Sequence, residues 1–216
     1  MYQDQPTTLP ATNEAKRLQI LEGARSVFLA QGFDAASMEQ VARAAGVSKG
    51  TLYVYFQSKQ ALFSALVREE SRQTAERLFE LQGDGLPVRE VLTRLGDSFI
   101  AKMLRPDHVA LMRMVIAVAP KFPEVGEAQY EAGPCYGRNR LAAYLATQVE
   151  AGRLAIDDLE LAAAQFLSLC HGPILYKVLM AVREPDAQLC RRVVDGAVTT
   201  FMAAYGTGEG LEGRAQ

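Results

Sequence analysis

The chain has 216 residues, 49% of them apolar and 22% charged, a composition ordinary for a globular protein and too poor in glycine and proline for a fibrous or low-complexity one. Lys and Arg number 23 against 25 Asp and Glu, a net charge of −2, which argues against a nucleic-acid coat or a polybasic membrane binder while leaving room for a local basic face. Three widely spaced cysteines, Cys135, Cys170 and Cys190, cannot build a disulfide scaffold and suit a reducing compartment. With no signal-peptide pattern and no apolar run of bilayer length, the expected location is the cytoplasm, with no membrane partner.

Residues 1–13 are polar, carry Pro6 and Pro10 and read as a disordered arm. Helical periodicity follows almost everywhere, without strand alternation or an Asn-Gly hairpin, so the fold class is all-α. A first helix is predicted over 14–30, with Ile20, Ala24, Val27 and Phe28 on one face, ending at Gly32-Phe33-Asp34. Ser37-Met38-Glu39-Gln40 is a capping box for a short second helix. Gly46 stands where a left-handed cap needs glycine. Ser48 can cap a third helix ending near Phe56, and Ser58 a fourth running to about Leu81. Gly83-Asp84-Gly85 with Pro87 marks a joint.

Five further helices are predicted near 87–104, 107–118, 124–151, 157–182 and 185–205, about nine in all. The expected layout is an arm (1–13), a small module (14–60) with its helix pair at 37–56, a larger helical domain (61–206) and a flexible Gly-rich tail (207–216).

Two short helices joined by Gly-Val-Ser and propped on a longer amphipathic one fit a helix–turn–helix. Residues 46–59, Gly-Val-Ser-Lys-Gly-Thr-Leu-Tyr-Val-Tyr-Phe-Gln-Ser-Lys, followed by Gln-Ala-Leu-Phe, resemble the signature of the TetR/AcrR family of bacterial transcriptional regulators. The resemblance extends to Gly32-Phe33 and to Ser37–Ala42 and covers about residues 14–70. A fainter likeness to AefR-like C-terminal domains lies around Leu111–Pro123. The chain departs from the family's usual residues at Val54 and Tyr55, which bears on the operator sequence.

Physical chemistry gives the same stretch a DNA-binding reading. Gly50 and Thr51 are small enough to let the third helix press into a major groove, and Lys49 can reach a guanine or a phosphate. Tyr53 and Tyr55 are expected on the exposed face as phosphate ligands, with Leu52 and Phe56 turned inward. Lys59 is expected to clamp a phosphate, and Ser37 and Ser48 to cap their helices and offer hydroxyls to the DNA backbone. The predicted DNA contacts are therefore Ser37, Ser48, Lys49, Gly50, Thr51, Tyr53, Tyr55 and Lys59. Residues 14–60 hold six basic and four acidic side chains, so the acidic surplus of the chain lies elsewhere.

No enzyme constellation is legible. His108 and His171 are the only histidines. Cys170 and His171 are neighbours that point about 100° apart on a helix, and there is no phosphate loop or nucleophile elbow. No cofactor or metal is expected.

The larger domain has apolar side chains to spare. Phe99, Met103, Met112, Phe122, Tyr130, Tyr144, Phe166, His171 and Tyr176 suit either plain core or an adaptable ligand cavity. Pro134 and Pro173 are expected to kink their helices. The helices at 157–182 and 185–205 are apolar enough to need cover from their own domain or from a second subunit. What the resemblance implies is a homodimer built on them, with Leu167, Ile174, Leu189, Val193, Ala197 and Phe201 as interface candidates. It further implies a repressor that binds a palindromic double-stranded operator and is released by a small, largely apolar effector. A ligand-independent regulator, an activator, or a helical carrier or enzyme are the other readings.

Overall fold

Caps and apolar stripes recur along the chain, and they give helices with almost nothing else between them. The structure, a computed structural model, describes residues 11–78, 85–182 and 185–208, with the side chains of 11, 12, 77 and 78 left aside. The expected arm up to residue 10, Gly83 and Asp84 of the joint, and the tail beyond 208 lie outside the described residues. The helices are α1 (Ala11–Ala35), α2 (Met38–Ala44), α3 (Lys49–Tyr55), α4 (Lys59–Leu78), α5 (Val88–Met103), α6 (Pro106–Val118), α7 (Pro123–Tyr130), α8 (Tyr136–Glu150), α9 (Leu159–Leu179) and α10 (Ala187–Tyr205). A π-helical turn, Glu131–Cys135, joins α7 to α8 without a break, so the described residues form nine continuous rods, as the periodicity predicts.

The first core gathers around α1. Ile20, Ala24 and Phe28 are fully buried against Val41 of α2, Leu52 of α3 and Leu62, Phe63 and Val67 of α4. Phe28 and Phe63 meet edge to face with centroids 5.0 Å apart, a geometry favoured by the ring quadrupole. The capping box forms as read, with the Gln40 backbone N–H donating to Ser37 Oγ at 3.2 Å and the Ser37 N–H to Gln40 Oε1 at 2.9 Å. Gly46 adopts φ 64°, the left-handed turn that separates α2 from α3. Inside α1 the backbone leaves helical values at Gly32 (φ 78°, ψ 170°), where the sequence places the end of the first helix.

This core does not stop at α4. Leu111, Val115, Val118 and Val125 from α6 and α7 are part of it, and Phe122 packs on Phe33 at 5.9 Å between centroids. A second core fills the space between α5, α8, α9 and α10, centred on Leu92, Leu145, Phe166 and Phe201. Asp158 and Asp186 cap α9 and α10, accepting from the backbone N–H groups of Leu161 and Leu189 at 2.9 and 2.7 Å.

Of the two internal prolines, Pro134 sits in the π turn, while α9 runs unbroken through Pro173. Pro173 is exposed there, which leaves room for its ring. No helix among the described residues is long and apolar enough to cross a membrane.

One close approach escapes periodicity. A Cβ on Gly23 would lie 2.6 Å from the Ala45 backbone nitrogen, so α1 touches the end of α2 backbone to backbone. Gly23→Ala should wedge the two apart and cost about 1–3 kcal/mol, read as a lowered midpoint in urea melts; unchanged stability would contradict the packing.

Candidate nucleic-acid interface and internal cavity

The turn after Gly46 leaves the first residues of α3 projecting from the module. Ser48, Lys49 and Gly50 are exposed, Thr51 is half-exposed, and Tyr53 keeps 43% of its surface. Ser48 Oγ accepts the Thr51 backbone N–H at 3.0 Å, and the two hydroxyls lie 2.8 Å apart. Leu52 and Phe56 turn inward as expected, at 0% and 6% exposure. Ser37, at the start of α2, is exposed.

Two expectations are corrected here. Tyr55 is half-buried and packs against the core of α1–α4, because it follows Leu52 by three residues and shares its face. The most exposed position of α3 is instead Val54, at 82%. Lys59 is not a free cation awaiting a phosphate. Its ammonium donates to the carbonyls of Phe33 (2.7 Å), Asp34 (3.0 Å) and Ala36 (2.9 Å) and stands 4.6 Å above the Phe33 ring. All three N–H bonds are spent on the end of α1. The signal was in the sequence: a lysine opening α4 and a helix ending at Asp34 and Ala35, whose last carbonyls need a donor.

Behind this module lies a cavity of about 300 Å³. Its wall is made by α1 and α4 on one side and by α5, α6, α8, α9 and the π turn on the other. Of the nine residues the sequence nominates, Phe99, Met103, Met112 and His171 line it. The other five are corrected. Phe122 belongs to the α1–α4 core, Phe166 is fully buried against Phe201, and Tyr144 packs on the second core. Tyr130 and Tyr176 are exposed at 54% and 69%.

Contributions from α1 and α4, such as Phe28, Leu66, Ser71 and Thr74, were not foreseen, since residue spacing does not reveal which helix faces meet across a void. Ionic groups close the side near α6. Arg25 of α1 pairs with Glu70 of α4 at 3.0 Å and with Asp107 of α6. Hydrogen bonding from Arg105 holds the Asp107 carboxyl well down, at about 2, against the opposing effect of burial. Burial, with Lys102 adding to it, pulls His108 down to about 4, so its imidazole is neutral at pH 7.

The interface candidates on α9 and α10 also need correction. Ile174, Ala197 and Phe201 are at most 3% exposed within the protomer, and Leu167 lines the cavity. Leu189 and Val193 are half-buried, and Val193 packs on the second core. The large apolar side chains that α9 and its C-cap show to solvent are Leu161, Leu169, Tyr176 and Met180, a stripe beside its core face. Among the described residues, no group of three His, Cys, Asp or Glu side chains is placed to hold a metal ion.

A helix–turn–helix with its second helix offered to solvent, mounted on a helical domain that encloses a cavity, is the architecture of a DNA-binding regulator. Family comparisons agree. The model described as bacterial regulatory proteins, tetR family, matches residues 20–66, and that of the AefR-like transcriptional repressor C-terminal domain matches 90–207. The chain belongs to the TetR family of bacterial regulatory proteins.

It is 43% identical over 99 residues to the HTH-type transcriptional repressor Rv1474c of Mycobacterium tuberculosis, covering 43% of this chain and 53% of that protein. It is 38% identical over 101 residues to the HTH-type transcriptional repressor AcnR of Corynebacterium diphtheriae, covering 43% and 52%. The chain thus spans about half the length of these curated relatives. Whole-fold likeness comes from solved structures. A TetR-family regulator of Mesorhizobium loti superimposes with a TM-score of 0.85 at 25% identity, over 92% of this chain and 100% of that one. The flavonoid-responsive regulator FrrA superimposes with a TM-score of 0.73 at 30% identity, over 90% and 99%.

The depressed His108 gives a pH signature. Below its unfolded value near 6.5 the unfolded chain binds a proton that the native state refuses until about pH 4. Stability is therefore full above pH 6.5 and falls as the pH drops toward 4. Urea melts should show the wild type losing on the order of 2 kcal/mol more than His108→Gln between pH 7 and pH 4.5. Parallel losses would mean that the imidazole is not desolvated.

Proposed function

We propose that the protein is a transcriptional repressor that binds a palindromic operator as a homodimer and lets go when a small, largely apolar molecule fills the cavity. The observation that carries this reading is the make-up of the cavity wall: α1 and α4, which hold the recognition helix, are also its lining. Filling the void presses directly on the module that reads DNA. A differential ligand affinity of a few kcal/mol between the two conformations suffices to empty an operator. FrrA, similar over nearly its whole length, is by its description flavonoid-responsive, which fits an effector site in this fold.

In functional terms residues 14–60 form the DNA-binding domain and 61–206 the effector and dimer domain, with α4 common to both. On DNA, Lys49, Gly50, Thr51 and Tyr53 enter the groove, and Ser37 and Ser48 meet phosphates through their hydroxyls. Val54 lies against base edges, and Tyr55 reaches the backbone only through its phenol oxygen. Lys59 acts as a positioning residue that fixes α4 to the end of α1. The dimer forms on the exposed stripe of α9 with the small residues of α10, Gly196, Thr199 and Ala203, which are exposed in the protomer. Two short recognition helices read half-sites about 34–36 Å apart, which one subunit cannot span.

Fluorescence anisotropy on DNA flanking the protein's own gene tests the reading. Lys49→Ala with Tyr53→Ala should weaken specific binding at least about 30-fold, two contacts of ordinary strength, with the thermal midpoint unchanged; wild-type affinity in the double variant would overturn the interface.

The two lysines separate in salt titrations. Losing Lys49 should lower the slope of log affinity against log salt by about one. Losing Lys59 should lower affinity and stability with the slope intact. A slope reduced in Lys59→Ala would restore the phosphate clamp.

A further inference from the structure

Three buried side-chain polar atoms among the described residues have no hydrogen-bond partner: Ser64 Oγ, Arg138 Nε and His171 Nδ1. Two of the three belong to residues lining the cavity. An occluded donor atom without an acceptor is unfavourable; the Arg138 guanidinium keeps its charge, with Nε turned inward and the far end of the fork reaching the surface. The rest of Arg138 is engaged only by neutral groups. Nη1 donates to the Tyr130 hydroxyl at 3.4 Å and Nη2 to Cys135 Sγ at 3.7 Å, both weak by distance. No carboxylate among the described residues stands at ion-pair distance, and Glu160 acts only from farther away.

The charge around the void completes the picture. Of the arginines that line it, Arg25 stands with two carboxylates, Glu70 and Asp107, and Arg138 with none at ion-pair distance. Arg25 binds both carboxylates, and Asp107 is shared further with Arg105. The rest of the lining is mainly apolar, with a few neutral polar side chains such as Ser71, Thr74, Gln129 and Ser168, and Phe99 is set 5.8 Å from the His171 ring. A site of this kind selects a ligand with an apolar body and one negatively charged oxygen group.

We infer that the cavity takes an acidic amphiphile, an aliphatic or aromatic carboxylate, whose carboxylate is bound by Arg138 Nε and by the Nδ1–H of a neutral His171. This rests on the reading of the cavity as the effector site. Arg138 suits the role because its planar fork matches a carboxylate in geometry as well as in charge. His171 adapts by tautomer, since with its Nε2 deprotonated Nδ1 is a donor. The carboxylate enters beside the π turn that carries Cys135 and packs against α4, where a Cβ on Gly133 would lie 3.6 Å from Ser71. The anchor is thus one layer from the helix that Lys59 ties to the recognition module.

Calorimetric titration at pH 7.5 with matched probes tests the inference: decanoate against decanamide, and 2-naphthoate against 2-naphthamide. Wild-type protein should bind at least one carboxylate about tenfold or more tighter than its amide, the scale of a charge-assisted hydrogen bond. In Arg138→Gln the preference should fall below about threefold with amide affinity retained.

Amides binding as tightly as carboxylates overturn the inference, as does a preference that survives in Arg138→Gln, or no binding by any probe. If the variant fails to fold, the wild-type comparison decides alone. Operator release separates the two readings. Amides that bind and release the operator leave the effector site standing and remove the acid. A carboxylate that binds in the predicted way without loosening the operator keeps the acid and removes the effector role.

Discussion

Everything the molecule is read to do passes through the ammonium of Lys59. Helix α1 ends with carbonyls that have no helical donor, and three of the acceptors around that end, Phe33, Asp34 and Ala36, converge on one lysine at the start of α4. A cation at a helix C-terminus gains from the dipole as well as from the hydrogen bonds, and the Phe33 ring beneath it adds a cation–π contact. The result is a fixed corner between α1 and α4. Since α3 rests on α1 and α4 through Leu52 and Phe56, the corner sets where the recognition helix points.

The same two helices also line the cavity. Around the corner the core is dense: Phe28, Phe33, Phe63 and Phe122 form a chain of ring contacts. A turn or two further along α4, Ser71 and Thr74 face a void, and the Arg25 bridge to Glu70 and Asp107 spans it from α1 to α6. Close-packed interiors resist small displacements and transmit them as rigid bodies. In the proposed mechanism, a stiff corner attached to a wall that borders a void would act as a lever, with the void at one end and α3 at the other.

What could be read in advance follows from the range of the forces involved. Local signals were legible: the Ser37–Gln40 box, the cap at Ser48, the left-handed Gly46 and the inward pair Leu52 and Phe56 depend only on residues a few places apart. The small module was therefore almost fully specified by its own sequence. Tyr55 is the exception: Leu52 and Phe56 suffice to fill the inner face on paper, whereas the helical angle also returns residue 55 to the side of Leu52.

The larger domain is set by which faces meet over long separations. Phe166 and Phe201 are apolar enough for core, cavity or interface, and only their mutual packing assigns them to core. The close contact of Gly23 with Ala45 and the isolation of Arg138 are likewise invisible to periodicity, since each is a relation between distant segments.

Charge makes a final point about how modest the DNA-reading surface is. The module of residues 14–60 has two more basic than acidic side chains, yet Lys59 is committed to α1 and Arg25 to Glu70 and Asp107. Two of its six cations thus serve internal geometry. On the proposed reading, non-specific attraction to the DNA backbone would be correspondingly shallow, and affinity would come from fit: small residues at Gly50 and Thr51, hydroxyl donors at Ser37 and Ser48, and correct spacing of two copies.

A binder that depends on spacing rather than on charge is easily disarmed by a small rotation, because misplacing one half-site forfeits nearly all the benefit of linkage. In the proposed mechanism, the cations that hold α1, α4 and α6 together are what would let a cavity of about 300 Å³ govern the interface. They would convert what enters the void into the angle at which α3 is presented, and a weak electrostatic background would leave that angle in control.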